Sequence, residues 1–251
     1  GKVAAEALTP VLEHIFRKVR SVLQKTPPAL LADIRDHGIM ITGVGGTGVV
    51  TIGQVLAMAA HLDGKGVTVL DMAGLAQKGG SVFSHVQIAA SPDKIHATRI
   101  ATGEADLLLG CDAIVAGSVE ALSKLQKGVS HAVVNRAPIP SAEFITHADW
   151  TFPSGSIERE LQAALGDGCE FFDSNQLAVK LLGDSIYANP LLLGYAWQKG
   201  WIPLTRAAIL QAMTLNAVQV EKNKQAFEYG RLAAHDLHGL MQVAVDVIHV
   251  L

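Results

Sequence analysis

A short apolar run, Ile39-Met40-Ile41-Thr42, leads directly into Gly43-Val44-Gly45-Gly46-Thr47-Gly48, and an apolar stretch from Val49 to Leu62 follows. Gly43, Gly45 and Gly48 fall in the spacing G-x-G-x-x-G, between a predicted strand and a predicted helix, which is the setting that motif needs. In that setting the first glycine permits a tight turn and the second lets a phosphate approach the backbone. The third lets helix and strand pack closely, and the free N–H groups at the helix start receive an anion. Asp71 closes the next predicted strand, where a carboxylate meets a ribose in a dinucleotide site. Gly43, Gly45, Gly46, Thr47, Gly48 and Asp71 are therefore the candidate cofactor-binding residues. Gly43 and Gly48 also match the glycines of a P-loop, but Val49-Val50 stand where Lys-Ser/Thr must follow. Nothing there reaches a γ-phosphate or holds Mg²⁺, so a P-loop NTPase is excluded. The glycines equally suit a tight turn with no ligand, and spacing alone does not choose between the two.

A second glycine stretch runs from Ala73 to Gly80, where a dinucleotide-binding domain would normally enter a helix. Its core is Gln77-Lys78-Gly79-Gly80-Ser81, with one cation and a doubled glycine whose backbone is open to a partner or an anion. Gln77, Lys78, Gly79, Gly80 and Ser81 are the candidate interface or substrate-channel loop. Other chemistry is sparse. The two cysteines, Cys111 and Cys169, stand far apart and outside any C-x-x-C. An iron–sulfur or zinc site made by this chain alone is not expected. His235 and His238 lie three apart but lack a distant third ligand, so they read as a surface helix and no metal site is expected. His85, in the third predicted strand, reads as a satisfied histidine rather than a catalyst. Gly166-Asp167-Gly168 opens like a diphosphate–Mg²⁺ motif, but the paired asparagines that should follow are missing and a turn explains the glycines. No G-x-S-x-G elbow is present. No residue is assigned as catalytic acid, base or nucleophile.

The elements that must position these loops follow from periodicity. Strands are expected at 39–42, 67–70, 81–89, 105–109, 132–135 and 170–172. Helices are expected at 49–62, 114–125, 157–165 and 176–182, and from 189 onward the pattern is helical throughout, with helices at 191–199, 205–215 and 217–234. Alternating strands and helices specify an α/β fold: a doubly wound, mostly parallel, Rossmann-like sheet with a helical C-terminal part. Apolar residues from Val11 to Leu23, spaced three and four apart, give an N-terminal helix, and Thr26-Pro27-Pro28 ends it. Residues 1–32 are thus a helix and linker, and residues 33–251 form the main domain. Between His37 and Asp63 no Asp, Glu, Lys or Arg occurs. Its glycines break that run into strand, turn and helix, so a membrane span is not expected. With a net charge of −3 and no Lys/Arg run, nucleic-acid binding is not expected. Sparse cysteine fits the cytoplasm.

Two longer segments carry a resemblance. GVGGTGVVTIGQVLAMAA and VLDMAGLAQKGGSVFSHVQI are similar to the gamma-type domain of the pyruvate/2-oxoacid:ferredoxin oxidoreductase family, and most like its indolepyruvate branch. Members carry GxGGQGVV, AQRGG followed by SHV, and a helical tail with N-x-x-A-F-x-x-G. Asn223, Ala226, Phe227 and Gly230 fit that tail, as do Ala105–Gly110 and Asn189–Gly194. The resemblance spans about residues 38 to 232. Thr47 and Lys78 depart from it, standing for Gln and Arg, and Lys loses the two-point grip of Arg. The resemblance implies a component of an enzyme that oxidatively decarboxylates a 2-oxoacid to an acyl-CoA and reduces ferredoxin. Thiamine diphosphate, Mg²⁺ and iron–sulfur clusters would then lie on partner domains or subunits, with CoA as co-substrate, and none would be bound tightly by this chain. Two alternatives stand beside it: an NAD(P)- or FAD-binding dehydrogenase domain, and a non-catalytic interaction domain.

Overall fold

The computed structural model describes residues 37–74, 80–137 and 154–249. The expected N-terminal helix and linker, and Gln77, Lys78 and Gly79, lie outside them. Among the described residues six strands form one sheet: β1 (His37–Val44), β2 (Gly66–Ala73), β3 (Ser81–Ala89), β4 (Leu107–Gly110), β5 (His131–Asn135) and β6 (Cys169–Phe172). Their order is β2-β3-β1-β4-β5-β6. β1, β4, β5 and β6 run parallel, and β3 alone is antiparallel to its neighbours β1 and β2. The mostly parallel sheet is as expected. The reversal of β3 follows from the loop before it: residues 74–80 separate Ala73 from Ser81, which are Cα partners of Val82 and Val44. A parallel return needs a crossover of about a dozen residues or more. So short a connection can make only a hairpin, and the hairpin inserts β3 between β1 and β2.

Helices cover both faces. α1 (Val49–Leu62) packs on one face with α5 (Ser174–Leu182), α6 (Ala188–Gln198), α7 (Arg206–Asn216) and α8 (Val220–His249). α2 (Ala113–Ala116), α3 (Val119–Leu122) and α4 (Ser154–Leu165) cover the other. Ile39 and Ile41 point to the first layer and Met40 to the second, all fully buried, as the period-two alternation of a central strand requires. The uncharged stretch after His37 is thus β1, buried in the sheet, an exposed turn, and α1, which buries one face. Among the described residues no helix is long and apolar enough to cross a membrane.

Two helical expectations change. The single helix expected over 114–125 is two short ones, because the side chains of Asp112 and Ser118 each cap a new start, accepting from Val115 N and Ala121 N. The last helix continues past 234 to His249, with a kink at Asp236, whose carboxylate accepts from Gly239 N at 2.8 Å. α6 lies between the sheet and α8 and is buried from Ala188 to Ala196. It crosses α8 backbone to backbone. A methyl group at Gly194 would overlap the Phe227 carbonyl, and one at Gly230 would overlap the Leu191 carbonyl. That crossing explains the N-x-x-A-F-x-x-G pattern physically: Ala226 and Phe227 are core, and Gly230 is the contact point. α1 is tied to these helices beyond its C-terminus. Thr205, the cap of α7, donates from its N–H and its hydroxyl to the Asp63 carboxylate at 2.7 Å each.

Candidate functional site

The sheet changes winding direction between β1 and β4, since the chain moves outward from β1 to β2 and β3 and then returns to β4. Open α/β sheets leave a crevice at such a point, outside the C-terminal strand ends. The glycine loop after β1 and Cys111 after β4 both border it. Gly43, Gly46 and Gly48 each have a physical reason. A side chain at Gly43 would meet Val49 Cγ2 at 2.6 Å and Cys111 Cβ at 3.1 Å, so this glycine lets α1 pack on the strand end. Gly46 and Gly48 have φ of 85° and 89°, the left-handed region that strongly favours glycine. Thr47 closes the turn, its hydroxyl donating to the Val44 carbonyl at 2.7 Å. Gly45 donates its N–H to the Gly80 carbonyl at 2.9 Å. Gly80, at the end of the second glycine stretch, therefore lies against the first loop, and Gly74 N donates to Ser81 O at 2.9 Å.

Asp71 is not brought to this loop. It sits exposed on the edge strand β2, paired with Ser84, and the whole of β3 stands between it and β1. Two strand spacings amount to roughly 9–10 Å. In the dinucleotide arrangement the carboxylate-bearing strand neighbours β1 directly.

Beside the loop is a cavity of about 360 Å³, lined by the loop, α1, the Ser185–Tyr187 turn, the start of α6 and the α7–α8 connection. Among the described residues no Lys, Arg, His, Asp or Glu lines it. Its polar groups are chiefly amides. Asn189 donates from Nδ2 to the Thr47 carbonyl at 2.6 Å, a tie across the whole fold. Asn175 accepts from Asn135, which also donates to the Cys111 carbonyl and accepts from Ala137 N and Ser174 N. Asn223 donates to the Val218 carbonyl at 2.8 Å. It holds a turn in which Ala217 and Gln219, neither of them glycine, have φ of 58° and 42°. Left-handed backbone at non-glycine residues carries strain that the surroundings must enforce.

The titratable groups nearby are quiet. Burial, reinforced by the Asp112 carboxylate, pushes the Cys111 thiol up to about 12, so it remains protonated at neutral pH. Asp112 is itself raised by burial, which the N–H groups of Val115 and Ile114 partly offset. His85 is fully buried, accepts from Ile100 N at 3.4 Å, and is lowered by burial and by Arg99 and Lys124. Gly166-Asp167-Gly168 is a tight turn that leads into the start of β6, at the end of the sheet opposite the cavity. Among the described residues no group of three His, Cys, Asp or Glu could hold a metal ion.

The sequence reading missed the amides. Asn189 is legible as a lone asparagine after the Gly-Asp-Gly segment and as the start of the Asn189–Gly194 resemblance, and Asn175, Asn216 and Gln219 give no local signal. Asn189-Pro190, at a predicted helix start, was the available clue.

A profile of the family described as pyruvate ferredoxin/flavodoxin oxidoreductase matches residues 38–233. A second, described as MreB/Mbl protein, matches residues 2–72, less than half of the chain, and overlaps the first over the opening strands. Indolepyruvate oxidoreductase subunit IorB of Pyrococcus horikoshii is 29% identical over 210 residues, which is 82% of this chain and 100% of that relative. The gamma subunit of keto/oxoacid ferredoxin oxidoreductase from Geobacter sulfurreducens superimposes with a TM-score of 0.54 at 24% identity, over 79% of this chain and 98% of that one. The 2-oxoglutarate:ferredoxin oxidoreductase of Magnetococcus marinus superimposes with a TM-score of 0.58 at 17% identity, over 80% of this chain but only 31% of that one. The same fold thus stands alone in one neighbour and as one part of a longer chain in another. By the match across residues 38–233, the chain belongs to the pyruvate ferredoxin/flavodoxin oxidoreductase family.

Proposed function

We propose that this chain is the gamma-type component of a cytoplasmic 2-oxoacid:ferredoxin oxidoreductase whose substrate is indolepyruvate or a related aryl pyruvate. The observation that carries this reading is the match to an indolepyruvate oxidoreductase subunit over that relative's whole length. In the complete enzyme thiamine diphosphate supplies the carbanion stabilisation of decarboxylation, iron–sulfur clusters remove the electrons, and CoA accepts the acyl group. Partner domains or subunits hold the thiamine and the clusters. The described residues of this chain contribute a shaped surface. The loops at Gly43–Gly48 and Gln77–Ser81 face those partners and border the channel to the reacting centre. Three observations support that placement. Gly45 and Gly80 bring the two loops together at the C-terminal end of β1, where open sheets place their sites. Among the described residues the cavity beside them offers amide and hydroxyl hydrogen bonds but no Lys, Arg, His, Asp or Glu. Ile186 and Val218, at 59% and 56% exposure, both line it and suit a covering partner.

Co-expression with the thiamine- and cluster-bearing polypeptides tests the proposal. The chain is expected to co-purify with them, and indolepyruvate-dependent reduction of ferredoxin is expected to require both. A chain that fails to co-purify, or that catalyses nicotinamide reduction alone, refutes it.

A further inference from the structure

The helices on the second face of the sheet stop short of its edge. α2 and α4 lie over β1, β4, β5 and β6. Among the described residues, α1 is the one helix longer than a turn with an extended contact to β2 or β3, and it lies on the first face. The register fixes which hairpin residues stand on the second face. Val67 and Val69, opposite Ile88 and Val86, pack into the core under α1. Leu70, opposite His85, and Met72, opposite Phe83, therefore stand on the other side. Phe83 meets the second core at its margin, whereas Leu70 and Met72 belong to neither core. All three are half-buried. An antiparallel pair whose second face meets water alternates apolar with polar residues. Leu70, Met72 and Phe83 break that alternation, so this face calls for an apolar cover.

The sequence holds a segment of matching kind, residues 11–25, outside the described ones. On a 3.6-residue repeat the apolar positions from Val11 to Leu23 fall on one side, and Arg17, Lys18 and Arg20 on the other. As a helix the segment would be about 22 Å long. The eight residues of β2 span about 26 Å, so one such helix lies along the hairpin without overhang. The tether fits as well. Residues 26–36 lead into His37 at the start of β1, which is the direct neighbour of β3. Fully extended they reach roughly 35–40 Å, well beyond the one strand spacing to be crossed. A tether this short gives an effective concentration on the order of millimolar, which favours the chain's own segment over a separate molecule. We propose that residues 11–25 cover the second face of the β2–β3 hairpin, with Leu70, Met72 and Phe83 against their apolar stripe. Met72 and Phe83 are the last second-face pair before the second glycine stretch, so the cover steadies the strands that carry Gln77–Ser81. The placement is independent of the enzyme assignment.

Photo-crosslinking of the full chain tests it. Phe16→p-benzoylphenylalanine, irradiated in dilute solution, is expected to cross-link within one chain, to peptides holding residues 66–73 or 81–89. A cross-link between two chains assigns the face to a second copy and overturns the proposal. So does a cross-link to any other part of the chain, or none. Hydrogen exchange of the unmodified chain is expected to show residues 11–25 protected on the order of tenfold or more over the free peptide. Leu70→Asp is expected to abolish that protection. Val179→Asp, on α5 at 49% exposure, is expected to leave it unchanged. Exchange of residues 11–25 at the free-peptide rate overturns the proposal, and so does protection that survives Leu70→Asp. The cross-link is read on a chain whose hairpin is unaltered, so it decides the question even where Leu70→Asp fails to fold. The co-purification experiment reads the enzyme assignment separately.

Discussion

Replacing Gly194 by alanine gives a result whose sign is diagnostic. Gly194 lies inside α6 and Gly230 inside α8, and both are interior helical positions. Glycine there is about 1 kcal/mol worse than alanine on helix propensity alone. If the two glycines had no packing role, either alanine would stabilise the protein by about that amount. The structure demands the opposite. Each new methyl group would occupy the position of a carbonyl oxygen on the facing helix, Phe227 for one and Leu191 for the other. Backbone cannot turn aside as a side chain can, so the helices must separate, and Phe227, fully buried, loses its fit. Overpacking of this kind costs about 1–3 kcal/mol, and a backbone obstacle places it at the upper end. After subtracting the propensity gain, each variant is expected to lose about 2 kcal/mol. That corresponds to roughly 4–8 °C in melting temperature for a chain of this size. Both methyl groups open the same crossing, so the double variant is expected to cost less than the sum of the singles. Urea unfolding with an unchanged slope measures all three. Gly155→Ala in α4, where nothing lies within 4 Å, is the control and is expected to be neutral or slightly stabilising. A higher urea midpoint for either Gly194→Ala or Gly230→Ala refutes the account of the crossing.

Asn189→Ala removes the tie to Thr47 and is expected to cost about 1–2 kcal/mol, with faster amide exchange confined to residues 45–48. Gly48→Ala forces a side chain into left-handed backbone and is expected to cost about 1–2 kcal/mol, measured by the same urea unfolding. His85 gives a pH signature. Its folded value lies below the 6.5 of the free side chain, so in mild acid the unfolded chain binds a proton that the folded one refuses. Stability is expected to fall as pH drops below about 6.5, and His85→Gln, which keeps an acceptor for Ile100 N, is expected to flatten that part of the profile. Cys111 and Cys169, both pushed up to about 12 by burial, are expected to react with a thiol reagent at pH 8 far more slowly than free cysteine, with unfolding restoring the rate.

What the residues disclosed in advance divides along the distance over which each signal acts. β1, the glycine loop and α1 follow one another directly, so period, punctuation and glycine spacing placed them closely. The reversal of β3 was present in the short connection from Ala73 to Ser81, but the strand order depends on which edge the hairpin occupies, and only packing decides that. Asp71 illustrates the cost: at the expected place along the chain, it is one whole strand away in space. Asn175, Asn189, Asn216 and Asn223 reach the cavity from α5 through α8, segments far from the loop in sequence. Nothing local distinguishes an asparagine that closes a cavity from one that faces water. The Gly194–Gly230 contact is of the same kind, two ordinary-looking helical glycines that matter because each stands opposite the other helix's backbone.

The two ties that hold α1 have a consequence for the order of events in synthesis. Thr47, before the helix, is fastened by Asn189, and Asp63, after it, is fastened by Thr205. Both anchors lie 142 residues downstream of what they hold. A nascent chain that has emerged only as far as β6 already contains the entire G-x-G-x-x-G segment and neither of these restraints. The loop is thus among the earliest parts of the described fold to leave the ribosome, its turn closed locally on Val44, while its tie to Asn189 is among the last contacts to form.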